Sequence, residues 1–190
     1  MTPLTERALL REGLLDVLEA RRSGDDLRPF ERRLRDADLL ALGALADAIR
    51  RDEVGSVVRV HLGASPEGAI TAKGLDVLRE VAIARVLGEK GARVCIDFGS
   101  SGLEIAQVAL GFGASEISGP IANRRGLPIA DDAKRKVKGK GMVALRALQQ
   151  EEILTIVRRA KREPELHEAE RSAARNGGVG GAAPDHEEHP

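Results

Sequence analysis

Aromatic residues are nearly missing from this chain: three Phe, no Trp and no Tyr among 190 residues. Any core must therefore be aliphatic, built from Leu, Val, Ile and Ala. Cysteine occurs once, at Cys95. One thiol excludes an internal disulfide, and it excludes an iron–sulfur cluster held by three or four thiolates of this chain alone. No run approaches the roughly 18 apolar residues of a membrane span. The opening segment MTPLTERALLREG is charged where the apolar part of a signal peptide would lie. The expectation is a soluble, cytoplasmic protein with no membrane partner. An excess of one charge is missing too, since 30 basic residues face 30 acidic ones. Displacing counterions from phosphates needs surplus positive charge, so a general nucleic-acid binder is not expected. Local basic runs stay open.

What is present fits one domain with appendages. Hydrophobic residues reach 42%, a little under the ~45–50% of globular chains. Residues 3–22 place Leu4, Ala8, Leu10, Leu14, Leu15 and Leu18 at helical spacing, with Thr5 as the N-cap. Gly24 and Pro29 break that pattern. A second helix follows, capped by Asp36 or Asp38, with Leu39, Leu42, Leu45 and Ile49 on its apolar face. Residues 1–54 thus read as a helical lead-in.

From residue 55 strand and helix alternate. SVVRVHL (56–62) reads as a strand and residues 70–91 as a long helix. ARVCIDF (92–98) reads as a second strand, residues 101–113 as a second helix, and SEIS (115–118) as a short third strand. Such alternation implies parallel pairing through right-handed crossovers. An eightfold barrel needs about 200 residues or more, so the expected fold class is α/β: a partial, barrel-like parallel sheet of two to three strands. A loop rich in Gly, Pro and Lys, with a short helical piece, precedes a last helix ended by Pro164. There Ile153, Leu154, Ile156 and Val157 face inward. The domain spans 55–166 and a disordered tail 167–190. A sheet this small has exposed edges, which favours a partner strand or a self-pair.

Two segments carry a resemblance. LRDADLLALGALADAIRRDEVGSVVRV is similar to the N-terminal lead-in of the radical S-adenosylmethionine enzymes of the futalosine menaquinone pathway and the deazaflavin-precursor synthases. LREVAIARVLGEKGARVCIDFGSSGLEIAQVALGFGASEISGP, followed by LQQEEILTIVRRAKREPEL, is similar to their C-terminal end. The likeness covers about residues 34–60 and 76–166, and AQVALGFGASEISG is its most distinctive part. In that family the first strand leads to a C-x-x-x-C-x-x-C loop holding a [4Fe–4S] cluster that cleaves S-adenosylmethionine. Here the strand leads to GASPEG, with no thiol. The resemblance therefore implies a degenerate, non-catalytic relative, an accessory or regulatory protein linked to menaquinone biosynthesis. It would have no cofactor of its own, and would form a homo-oligomer or a hetero-oligomer with a cluster-bearing radical enzyme.

The candidate sites follow from position. Open parallel sheets place ligands at the carboxyl ends of strands. Gly63, Ser65, Gly99, Ser100, Ser101 and Gly102 lie in such turns, where N–H groups and hydroxyls can meet a phosphate or carboxylate. The plainer reading is turn and capping chemistry. His61, Asp97 and Glu104 make a polar set, readable as acid/base groups or as structural partners. Cys95 reads as a small buried hydrophobe. The basic loop offers Arg124, Arg125, Lys134, Arg135 and Lys136 to an anionic substrate or an acidic surface, or simply to water. No metal site is assigned, since HEEH at 186–189 lacks the i, i+4 histidine spacing of a zinc helix. The second functional reading is a small α/β ligand-binding protein or enzyme that uses the Gly/Ser turns for an anionic small molecule.

Overall fold

Polar alternation along three short strands sets the architecture, because each strand buries one row of aliphatic side chains and turns a polar row the other way. The computed structural model describes residues 3–62, 65–72, 74–122, 134–137, 141–144 and 148–168. The lead-in comprises α1 (Pro3–Arg11), α2 (Leu15–Ser23), a short 3-10 turn (Arg28–Phe30), α3 (Glu31–Asp36) and α4 (Leu39–Glu53). The helix expected over 3–22 is two helices, parted at Gly13, whose φ of 64° favours glycine. Thr5 lies inside α1 rather than at a cap. Leu4 and Leu10 are 78% and 67% exposed, while Leu9, outside the expected stripe, is fully buried. The cap of α4 is Asp38, whose carboxylate accepts from the N–H groups of Leu40 and Ala41 at 3.0 Å each. Leu42, Leu45 and Ile49 are buried as expected, and Leu39 is partly so.

The α/β part runs β1 (Val57–Leu62), α5 (Asp76–Leu87), β2 (Cys95–Asp97), α6 (Phe98–Ser101), α7 (Leu103–Ala109) and β3 (Glu116–Ser118). Helix α5 is shorter than the expected 70–91. Ile70 is taken instead by a parallel bridge to Ile96, and Gly74 turns the chain at φ 69°. The second helix is likewise divided, at Gly102 with φ 90°. Beyond β3, β4 (Ile121–Ala122) pairs in parallel with β7 (Leu148–Gln149). Where a loop with a helical piece was expected, β5 (Lys134–Val137) and β6 (Gly141–Ala144) form an antiparallel pair. The last helix, α8, covers only Gln150–Arg159. Its apolar side is as expected, with Ile153, Leu154 and Val157 buried and Ile156 partly so. Pro164 does not end that helix. It lies within β8 (Glu163–Glu168), which also takes His167 and Glu168 from the expected tail; the rest of the tail lies outside the described residues.

Four strands, not two or three, form the main sheet, in the order β2-β3-β1-β8, all parallel. Consecutive strands β1 and β2 are not neighbours, because β3 lies between them. Closure of a parallel barrel sets its last strand beside its first, and β2-β3-β1 has that order. On the far side of β1 the chain supplies its own strand, β8. The fold is therefore a partial, barrel-like α/β sheet with a helical lead-in. Val58, Val60, Ile96 and Ile117 are fully buried in one aliphatic core with residues of α4, α5, α7 and α8. Among the described residues, no helix is long and apolar enough to cross a membrane.

Candidate functional site

The opposite row of the sheet is polar and, at His61, Cys95, Glu116 and Ser118, buried. Its residues follow from register. Arg59 lies level with Glu116, and Glu116 with Cys95. One step on, Asp97 lies level with Ser118, and His61 falls in that same row from β1. His61, Cys95 and Glu116 are only 6%, 6% and 7% exposed. Buried polar groups need partners, and here they have one another. His61 Nε2 and Glu116 Oε2 are 2.8 Å apart. Arg59 and Arg93 approach the other carboxylate oxygen at 3.7 and 3.8 Å.

The electrostatics favour an ionised Glu116. Burial pushes its pKa up, but the His61 hydrogen bond and the charges of His61, Arg93 and Arg59 outweigh that and hold it below the usual value. An ionised carboxylate has no proton to give, so Nε2 carries the hydrogen and donates. The Cys95 thiol donates to Ser118 Oγ at 3.5 Å. Burial above all, with the negative charges of Glu116 and Asp97, pushes its pKa up to about 12 against the opposing Ser118 bond. As read from the sequence, Cys95 is a buried neutral thiol. On β8, the exposed His167 sits edge-on to His61, with ring centroids 5.1 Å apart.

The two Gly/Ser turns singled out by the sequence meet, although their strands are not adjacent. The segment after β1 crosses to the free edge of β2, and Ser65 Oγ donates to Asp97 Oδ2 at 3.3 Å. Asp97 Oδ1 accepts the N–H of Gly99 at 2.6 Å, capping α6. Ser101 Oγ donates to the Asp97 carbonyl at 2.7 Å. Gly99 is fixed by space, since a Cβ there would lie 2.9 Å from both Asp97 Oδ1 and Pro120 Cδ. Ser65 and Ser100 are exposed, and Glu104 stands exposed in the first turn of α7. Gly63, Arg124 and Arg125 lie outside the described residues. Lys134, Arg135 and Lys136 belong to β5, level with Ala144, Val143 and Met142.

No family model matches the chain, and no curated protein matches it. Neither comparison links it to the radical S-adenosylmethionine enzymes, so that likeness rests on the quoted segments alone. What the sequence reading missed is the company His61 keeps. Glu116, Arg59, Arg93 and Cys95 were not joined to it, although the signal was there: every second residue of R-V-C-I-D, E-I-S and R-V-H is polar or a thiol. That period places them on one face. Sequence order gives β1-β2-β3, whereas the fold puts β3 in the middle, and with it Glu116.

Proposed function

We propose that this chain is a non-catalytic, radical-S-adenosylmethionine-like accessory or regulatory protein of the cytoplasm, linked to futalosine-route menaquinone biosynthesis. One observation carries the reading. The strand order β2-β3-β1 is what the two ends of a closed barrel would form if brought together, and the segment after β1 is GASPEG, without a thiol. A cluster needs soft sulfur donors. Cys95, the one cysteine, lies on the edge strand β2 with a buried, neutral thiol. A role beside a cluster-bearing radical enzyme follows, with this chain contributing binding or control rather than electrons.

The test is anaerobic. The purified chain, supplied with iron and sulfide, is expected to hold no stoichiometric cluster and to leave S-adenosylmethionine intact under reducing conditions. Co-purification from the native host is expected to bring down a radical enzyme. Cleavage of S-adenosylmethionine by the isolated chain would overturn the proposal.

The second reading, a small-molecule-binding α/β protein, is favoured by one feature. Buried His61 and Glu116 with half-buried Arg59 and Arg93 make more charge than an aliphatic core needs. A small molecule that stays with the purified chain, in place of a protein partner, would select it.

A further inference from the structure

The geometry points to a divalent transition-metal site formed by His61, Cys95 and Glu116. The three residues come from β1, β2 and β3, adjacent in space through the central position of β3. Their ligand atoms, an imidazole nitrogen, a sulfur and a carboxylate oxygen, all lie within 4.8 Å of one another, and all three residues are buried. Bonds of about 2.0–2.3 Å to N, O and S in a tetrahedral site set its ligand atoms roughly 3.3–3.8 Å apart. The spread here closes onto an ion by small side-chain rotations, with no movement of the strands.

The donor set states the metal class. One nitrogen, one sulfur and one oxygen suit zinc or a neighbouring borderline ion, and a hard cation such as magnesium would not choose the thiolate. The surroundings resemble an outer shell. Arg59 and Arg93 approach Glu116 Oε1 and leave Oε2, the oxygen facing His61, to the metal. Ser118 Oγ sits 3.5 Å from the sulfur and would steady the thiolate. On binding, the ion takes the place of the thiol hydrogen and of the imidazole hydrogen now held by Glu116. The thiol proton leaves to solvent, and His61 binds as a neutral imidazole with one hydrogen on its other nitrogen, any second proton leaving to solvent as well. Three protein ligands leave a fourth position for water or a ligand atom, the pattern of open rather than structural zinc sites. This inference stands independently of the accessory role proposed above.

The test uses the full chain with His186 and His189 replaced by alanine, so that the tail cannot contribute. Cobalt(II) is titrated in while the thiolate-to-cobalt charge-transfer band is followed, and zinc(II) is then used to displace it. The expected result is one cobalt per chain with that band. In Cys95→Ser the band is lost, and in both Cys95→Ser and His61→Gln the zinc affinity falls at least tenfold. Cys95→Ser changes one atom, and circular dichroism on each variant shows that the fold is kept. Absence of stoichiometric binding, or binding unchanged in a folded Cys95→Ser chain, would overturn the site.

Discussion

Arg21 and Glu53 face each other as a two-pronged pair, with Nε to Oε1 at 2.6 Å and Nη2 to Oε2 at 3.0 Å. The pair fastens α2 to α4 and, through Arg21 Nη1 on the carbonyls of Val86 and Gly88, to the end of α5. Glu53 also accepts the N–H of Gly91 at 2.8 Å. The lead-in and α5 are therefore joined by a nearly buried ion pair.

Glu53 makes stability depend on pH. Burial raises its pKa, but the Arg21 and Gly91 hydrogen bonds and the charges of Arg21 and Arg85 together hold it below the usual value. A carboxyl depressed in the folded state stabilises fully above its unfolded pKa, about 4.3. That stability is lost as pH falls through the lower, folded value. Urea unfolding from pH 7 to 3 is expected to show a steep loss below about pH 4.3 that is shallower in Glu53→Gln. At pH 7, Glu53→Ala should cost about 3 kcal/mol, because it leaves Arg21 buried without its partner. Equal slopes in wild type and variant would refute the assignment.

Gly43 in the middle of α4 is explained by Phe112. A Cβ at Gly43 would lie 2.6 Å from that ring. Helix propensity alone predicts that Gly43→Ala gains about 1 kcal/mol. The ring reverses the sign, and overpacking should make the change destabilising by about 1–3 kcal/mol. In a Phe112→Ala background the same substitution should become neutral or stabilising, and chemical denaturation of the four chains closes the cycle. A gain in the wild-type background would show that the ring yields freely.

These relationships explain how much the sequence could disclose. The stripe Leu42, Leu45 and Ile49 was legible because one helix face carries its own period. The strands of β1, β2 and β3 were legible because their aliphatic residues alternate. Strand order was not, since nothing local tells β1 to pair with β3 rather than with β2. The partner of His61 depended on that order and was hidden with it. Pro164 was read as a helix stop, which is its commonest meaning, whereas an edge strand is the other place that accepts it.

The Ser101 hydroxyl is already engaged. It donates to the Asp97 carbonyl at 2.7 Å and closes the single turn of α6. Ser101→Ala is therefore expected to lower stability by about 1 kcal/mol, measured by thermal melting. Titration with inorganic phosphate should give the same result for wild type and variant. Phosphate binding that is lost with the hydroxyl would restore the anion reading of the turn.

Strand β8 tolerates a proline for a reason that can be tested by moving it. The N–H of Glu163 donates to the carbonyl of Ser56, beside β1. Peptide groups alternate in direction along a strand, so the nitrogen of Pro164 points away from β1, where no ladder bond is needed. Pro164→Val should then change the unfolding free energy by no more than about 0.5 kcal/mol. It would add an outward N–H to an edge otherwise blunted by proline and by glutamates, so self-association should rise with concentration in sedimentation experiments. Glu165→Pro removes a nitrogen that points inward. It should cost about 1–3 kcal/mol by leaving a β1 carbonyl without its donor. Equal tolerance of proline at both positions would mean that β8 is not held by its backbone, and the edge of β1 would then be open to another chain.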